Sequence, residues 1–133
     1  RQFALGPSFQ YPWAGDIDGA TGGDPEGEGA GIAINETGQY FLHCSAMVPH
    51  PRAHPELVGN WHSVVAYFAG AESVLSINGD VAAVGNPGVV SLQSWLFGVD
   101  ASTSGVLNGS LADIYIYTGN RVTELDAWLA TRL

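Results

Sequence analysis

The sequence predicts an all-β domain, an antiparallel sandwich or barrel, that ends in one short helix. Seven short segments have the composition or alternation of strands, and turns rich in glycine and asparagine separate them. No helical pattern lies between these segments, whereas a helical period follows the last of them. The 133 residues suffice for one domain and are too few for two. We therefore expect a single domain, with the helix packed against the β-structure.

The first 31 residues have no strand or helix pattern and are predicted to form an extended, acidic arm or loop. Between Gly15 and Gly31 there are seven glycines, five acidic residues and one proline, a composition that sustains neither a ladder nor a helix. Ordering each residue costs about 1–2 kcal/mol of backbone entropy, and this stretch has few apolar side chains to offset it. We expect the arm to be ordered only by contact with another chain or domain, and we place the β-sandwich domain at residues 32–133.

Seven segments are predicted as strands because apolar and polar residues alternate in them or because β-branched and aromatic residues dominate. They are residues 31–35, 40–48, 61–68, 73–77, 81–84, 91–99 and 111–117. Asn78 and Gly79 can adopt the positive φ angles that a tight hairpin turn requires between the fourth and fifth segments. Residues 48–60 are predicted to be irregular, since three prolines there cannot donate to a ladder.

The hydrophobic period changes after residue 117. Leu125, Trp128 and Leu129 share one face of a helix, which predicts a helix over residues 123–132. Thr123 is the expected N-cap. Acidic residues in the first turn and an arginine in the last turn suit the helix dipole.

The charge of the chain excludes two classes of partner. Its net charge is −9, with no lysine and four scattered arginines, so it lacks the clustered cations that replace phosphate counterions on nucleic acid. The same sign disfavours an anionic membrane surface, and no window approaches the roughly 18 apolar residues of a membrane helix. The absence of lysine beside abundant alanine, glycine and valine indicates a GC-rich genome, which we interpret as bacterial or phage.

Cys44 is the only cysteine, so the chain cannot form an internal disulfide. The alternation places Cys44 on the strand face that it shares with Leu42, which predicts a buried structural thiol. The neighbouring His43 points to the opposite face and cannot act as a base for this thiol.

Residues 59–133 resemble the C-terminal half of a concanavalin A-like lectin or laminin G-like domain. The resembling motifs follow in family order: GNWH (residues 59–62), SINGD (76–80), SWLFG (94–98) and LNGSLADIYIY (107–117). The terminal helix is similar to the tail of bacterial and phage members. The resemblance implies a jelly-roll β-sandwich.

The resemblance implies several functions, because this fold hosts lectins, adhesion modules, glycanases and virion proteins. Its glycanases use carboxylates spaced E-x-D-x-E on one strand to flank the scissile bond. This sequence has no such triplet on a predicted strand, so we expect no catalytic residues and no enzymatic activity.

Family domains usually have a longer N-terminal part, so either the chain is the C-terminal part of a longer protein or the arm replaces the first strands. An incomplete sandwich has an open sheet edge, which needs a partner.

Four residues of the arm are the candidate ligand- or partner-binding residues: Tyr11, Trp13, Asp16 and Asp18. Sugars and protein interfaces both favour the rings of tyrosine and tryptophan. The other large aromatic residues lie on periodic elements and are expected in the core: Trp61, Tyr67, Trp95 and Trp128.

Asp16, Asp18 and Asp24 resemble the beginning of a calcium loop. Calcium requires six to eight oxygen ligands, and the EF-hand pattern fails at its fifth and twelfth positions, which are Ala20 and Gly27. A solvated acidic loop is the favoured interpretation, and calcium is left open as the one candidate cofactor.

His50 and His54 have the spacing of two zinc ligands on a helix. The prolines around them prevent a helix, and no third ligand is evident in the sequence. We therefore predict no metal site at these histidines.

The leading hypothesis is a non-catalytic structural or adhesion module of a virion, of the phage tail or capsid-decoration type, or of a cell surface. Its partners would be other virion or surface subunits, with contact to a host glycan at the loops, and we expect a homo-oligomer or a part of a larger assembly. The alternative is a carbohydrate-binding module of a secreted bacterial protein. Both place the chain on a virion or outside the cell.

Overall fold

Two antiparallel sheets and one short C-terminal helix make up the fold. A computed structural model supplies the structure, and it describes residues 9–16, 30–44, 46–88, 94–97 and 107–132. Most of the regular structure in these ranges is β-strand. The prediction of an antiparallel, strand-dominated domain with a terminal helix is confirmed at this level.

The larger sheet has five strands in the order β4-β3-β2-β1-β8. They are β1 (Gln10–Asp16), β2 (Ala30–Ile34), β3 (Gln39–His43), β4 (Met47–Ala53) and β8 (Ser94–Phe97). The first four strands pair with their neighbours in chain order, and β8 returns to pair with the other side of β1. Among the described strands, β4 and β8 are therefore the edges of this sheet.

The smaller sheet consists of β5 (Val64–Tyr67), β6 (Ser73–Ile77) and β7 (Asp80–Gly85), in that order. Asn78 and Gly79 join β6 to β7 with φ angles of 52° and 79°, which confirms the predicted tight hairpin. The Asn78 side chain also accepts a hydrogen bond from the Ser63 amide at 2.9 Å, and this bond ties the turn to the residues that lead into β5.

The hydrophobic core is built from both sheets. Ile34, Tyr40 and Leu42 of the larger sheet form one buried cluster with three residues of the smaller sheet, namely Leu75, Ile77 and Val84. Cys44 is buried as well, as its alternation with Leu42 predicts. Burial of these side chains supplies the main stabilisation, at roughly 25 cal/mol per Å² of apolar area.

The C-terminal helix α1 comprises Val122–Leu129, close to the predicted range. The predicted cap is wrong, since the N-cap is Arg121 and Thr123 lies inside the helix. The Asn120 side chain accepts a hydrogen bond from the Val122 amide at 3.2 Å and performs the capping instead. The helix packs against β5 and β6.

The prediction that residues 1–31 contain no strand is wrong for β1, which pairs on one side with β2 and on the other with β8. Trp13 lies opposite Ile32 in one neighbour and opposite Phe97 in the other. The register with β2 shifts between Gln10 and Trp13, which is where Pro12 interrupts the alternation. A proline at such a bulge removes no hydrogen bond from the ladder. Pro12 therefore disrupts the strand pattern in the sequence but leaves the strand itself intact.

Residues 48–53 of the proline-rich segment belong to a strand, contrary to the prediction, whereas residues 54–60 contain only the short 3-10 helix Pro55–Leu57 and turns. The predicted strand 40–48 divides in two, since β3 ends at His43 and β4 begins at Met47. β4 contains Pro49 and Pro51 but lies at the edge of the sheet, where a missing amide donor is tolerated.

The predicted closing strand at residues 111–117 is not a strand in the structure. Its seven residues are exposed and have no regular secondary structure. Apolar residues lie at both odd and even positions of this segment. The strand prediction therefore depended on its β-branched and aromatic composition more than on an alternation of apolar and polar residues. The segment borders a groove instead of completing a sheet.

Candidate functional site

A groove of about 760 Å³ lies between β5, the segment 111–117 and the helix α1. Residues 61–68 form one wall, residues 111–117 form the other, and helix residues such as Val122, Leu125 and Leu129 line it as well. Ile34 and Tyr40 reach it from the larger sheet. The groove therefore opens onto the core, between the two sheets and the helix.

Among the described residues, the large hydrophobic side chains that are exposed are concentrated in this groove. Eight large hydrophobic side chains are exposed among the described residues, and all except Val81 line the groove. These seven are Trp61, Phe97, Leu111, Ile114, Tyr115, Ile116 and Tyr117. Scattered apolar residues are ordinary on protein surfaces, whereas a contiguous apolar patch is typical of interaction sites.

The strand β5 contributes an open backbone edge to the groove. It is the outer strand of the smaller sheet, and no described strand pairs with its outer side. The edge strand β4 of the other sheet is blunted by Pro49 and Pro51, whereas the β5 sequence Val-Val-Ala-Tyr contains no proline and no charge. An unprotected apolar edge of this type is prone to pair with another strand.

Two of the four arginines of the chain line the groove. Arg121 forms an exposed ion pair with Glu124 at 3.6 Å. The guanidinium of Arg132 lies 4.2 Å from the centre of the Trp128 ring, a favourable cation–π arrangement. Trp128 in turn meets Tyr115 edge to face, with 4.8 Å between ring centres. The segment 111–117 is thereby held beside the helix through its aromatic residues.

The floor of the groove contains a neutral histidine. The His62 ring forms a hydrogen bond with the Tyr40 hydroxyl through Nε2, and its Nδ1 contacts the Asn60 carbonyl at 3.1 Å. Burial lowers the pKa of His62, the bond to Asn60 opposes this lowering in part, and the nearby His54 adds to it. Burial also raises the pKa of the Tyr40 hydroxyl. The pair therefore carries no charge at neutral pH, with Tyr40 donating and His62 accepting.

A second polar cluster lies behind Tyr40, where β4 ends and β7 begins. The rings of His50 and His54 have centres 5.1 Å apart, and His54 lies 6.3 Å from the Tyr40 ring. One nitrogen of each histidine and a carboxylate oxygen of Asp80 lie within 4.8 Å of one another. The His54 atom Nε2 is buried and has no hydrogen-bond partner, a condition that costs about 1–3 kcal/mol.

The structure gives the strand position of three of the residues that the sequence predicts to bind a ligand. Tyr11, Trp13 and Asp16 belong to β1, inside the larger sheet, so they are not part of a flexible arm as predicted. Asp16 lies at the end of that strand, opposite Ser94. The calcium candidates Asp18 and Asp24, and most of the stretch 15–31, fall outside the described residues.

Two features of the site escaped the sequence reasoning. Trp61 was expected in the core but is 49% exposed, because β5 begins only at Val64 and Trp61 precedes it. His50 and His54 were set aside because a proline-rich segment cannot form a helix. A strand that ends at Ala53 brings their rings together without a helix. Only the packing of β4 against β7, two strands of different sheets, could have indicated Asp80.

No protein-family model, no curated protein and no solved structure matches this chain. No helix in the described part of the chain reaches the length and apolarity that crossing a bilayer would require. The function is therefore inferred from the geometry of the groove and of the histidine cluster.

Proposed function

We propose that this domain is a non-catalytic structural or adhesion module of a virion or cell surface, and that it acts by self-association through the groove. The observation that carries the proposal is the concentration of exposed apolar side chains in one groove. A surface of this kind has a large free energy to gain from burial, at roughly 25 cal/mol per Å². The module needs no catalytic group for this role.

A second copy of the chain is the partner that fits the groove best. The groove presents an open strand edge, β5, and beside it the segment 111–117, which no described strand pairs. Two copies related by a twofold axis can place the segment of each against the edge of the other. Such an interface is self-complementary and closes at two copies, and it uses backbone pairing in the manner of β-strand addition.

The finer fold belongs to the same proposal. We propose that the two sheets are the layers of a concanavalin A-like or laminin G-like sandwich whose last strand, 111–117, joins a sheet only in the assembly. The core shared by the two sheets, the Asn78–Gly79 hairpin and the terminal helix support this proposal. A closing segment that pairs between copies would explain why it lies exposed in the single chain.

The proposal predicts that a charge in the groove prevents self-association. Ile116→Asp places a carboxylate in the apolar wall formed by residues 111–117. A twofold interface would contain two such carboxylates, one from each copy. Val81→Asp is the matched control, since Val81 is 54% exposed and Ile116 is 51% exposed, but Val81 lies outside the groove. Sedimentation equilibrium should show a concentration-dependent dimer for the wild type and for Val81→Asp, and a monomer for Ile116→Asp.

Two results would count against the proposal. One is a wild-type chain that sediments as a monomer up to high concentration. The other is a dimer that Ile116→Asp leaves intact while circular dichroism shows the variant to be folded.

A carbohydrate-binding module is the second candidate, and the ring content of the groove favours it. Trp61, Tyr67 and Tyr117 line the groove, and aromatic faces of this kind stack on sugar rings. His62 adds a polar group at the floor. Calorimetric titration with soluble bacterial polysaccharides tests this candidate. Heat of binding that disappears in Trp61→Ala but persists in Val81→Asp would favour sugar binding, and the absence of heat with every glycan would exclude it for those glycans.

A further inference from the structure

The cluster formed by His50, His54 and Asp80 has the ligand types of a transition-metal site. Imidazole nitrogen and carboxylate oxygen are both ligands of zinc, and three ligand atoms here lie within 4.8 Å of one another. We propose that these three residues bind a divalent transition-metal ion of the zinc type, with the fourth position left to water. This site is separate from the groove and does not depend on the proposed self-association.

His54 is the proposed ligand whose position and tautomer the structure defines best. Its side chain is 5% exposed, and its Nδ1 lies 3.2 Å from a carboxylate oxygen of Glu56. A carboxylate that accepts from Nδ1–H fixes the tautomer and leaves the lone pair on Nε2, as in many histidine–metal sites. That Nε2 atom is the buried nitrogen that has no partner, so a metal ion would satisfy it.

His50 is buried almost completely and faces the same space. Its Nδ1 contacts the Arg52 backbone, and its Nε2 lies 3.2 Å from the Asp80 carbonyl. In the tautomer in which Nδ1–H donates to the Arg52 carbonyl, Nε2 keeps its lone pair for the metal and gives up its contact with the Asp80 carbonyl on binding. One of its nitrogens lies within 4.8 Å of the other two ligand atoms.

Asp80 completes the set from a different strand. Zinc at about 2.0–2.1 Å from each ligand places tetrahedral ligand atoms roughly 3.3 Å apart, so the observed cluster must contract on binding. The Asp80 side chain is half exposed and follows the hairpin turn, so it can move through a change of rotamer. His54, whose Nε2 has no partner, supplies the fixed part of the site.

Arg52 is the charged group that opposes metal binding. Its guanidinium lies 3.2 Å from Glu56 and 3.9 Å from Asp80, and both contacts are exposed. A cation at this position competes with the metal for the Asp80 carboxylate. Removing it by Arg52→Gln should tighten metal binding, whereas a purely structural ion-pair network would show no such gain.

Calorimetric titration of the full chain with zinc chloride tests the site, and Co²⁺ serves as a spectroscopic probe. The wild type should bind a single equivalent of zinc, and the cobalt form should show the visible absorption bands of four-coordinate Co²⁺. Asp80→Asn should weaken binding by about tenfold or more, and His54→Asn should abolish it. Glu72→Gln is the matched control, because Glu72 is an exposed acid outside the cluster, and its affinity should equal that of the wild type.

Two results would overturn the proposal. A wild type that gives neither heat nor cobalt bands would overturn the proposal. Binding that Asp80→Asn and His54→Asn both leave unchanged would also overturn it, because the metal would then lie elsewhere, such as among the acidic residues near the N-terminus.

Discussion

At the scale of single residues, Asp126 is a carboxyl group placed against the core without a counter-charge. It lies on α1, forms no ion pair among the described residues, and both carboxylate oxygens are buried without a hydrogen-bond partner of good geometry. Burial raises the pKa of Asp126, and the nearby Ser76 hydroxyl offsets this only in part. The charged form is therefore less favourable in the folded chain than in the unfolded chain.

Asp126→Asn should stabilise the protein at neutral pH by about 0.5–1 kcal/mol, a small gain because the side chain is only partly buried. The pKa of the folded state lies above that of the unfolded state, so the carboxyl group favours folding in acid and loses this contribution as the pH rises through the folded pKa. Urea denaturation should therefore show a gain that is small below about pH 4 and grows toward pH 7.

Glu124→Gln is the control for this prediction. Glu124 lies on the same helix but is exposed and pairs only with Arg121 at the surface, so its substitution should change the free energy of unfolding little. A loss of stability in Asp126→Asn at neutral pH would mean that the carboxylate has a partner outside the described residues.

At the scale of elements, a turn determines where one of the functional side chains lies. The turn between β2 and β3 ends at Gly38, whose φ is 77°. The Gly38 carbonyl accepts a hydrogen bond from the His54 amide at 2.9 Å. A glycine in this turn therefore sets the position of the histidine at the end of β4.

Gly38→Ala should destabilise the protein by more than Gly59→Ala does. Both glycines have φ near 80°, where alanine costs about 1–2 kcal/mol. An added Cβ at Gly38 would also lie 3.0 Å from the Cα and N atoms of Pro55, whereas at Gly59 it would meet nothing within 4 Å. The crowding at Gly38 should add roughly 1–3 kcal/mol in urea denaturation. Equal losses in the two variants would show that the Pro55 contact relaxes without cost.

The sequence predicts the elements whose signal is local and fails where tertiary contacts decide. The Asn78–Gly79 hairpin, β2 and the terminal helix follow from turn chemistry and periodicity, and they are confirmed. β1 and β4 contain prolines that local rules exclude from strands, yet a bulge and an edge position accommodate them. For the segment 111–117 the composition indicates a strand, but the partner that would make it one is not among the described residues.

The candidate sites likewise depend on tertiary contacts that a local sequence pattern does not show. The sequence directed attention to Tyr11, Trp13, Asp16 and Asp18, because aromatic and acidic residues in an arm suggest contact with a ligand. The groove and the histidine cluster instead unite residues that are distant in sequence, such as Trp61 with Ile116 and His54 with Asp80. Their proximity depends on how the two sheets and the helix pack, which no local pattern encodes.

At the scale of the whole molecule, the described apolar side chains form a buried core that both sheets share, and others line a groove that opens from this core. The chain carries a net charge of −9, which keeps copies apart at long range. The proposed self-association through the groove would therefore depend on contacts at short range, namely apolar burial and backbone pairing. Raising the salt concentration should strengthen the dimer, because it screens the repulsion between acidic copies.

Hydrogen exchange at two protein concentrations is the most direct test of the groove as a self-association surface. When the chain is concentrated enough to dimerise, the amides of β5 and of residues 111–117 should exchange more slowly than in the dilute chain, because each pairs with the other copy. The amides of β6, which already pair on both sides within one chain, should exchange at the same rate at both concentrations. Exchange of β5 and residues 111–117 that stays fast and independent of concentration would contradict the proposed function.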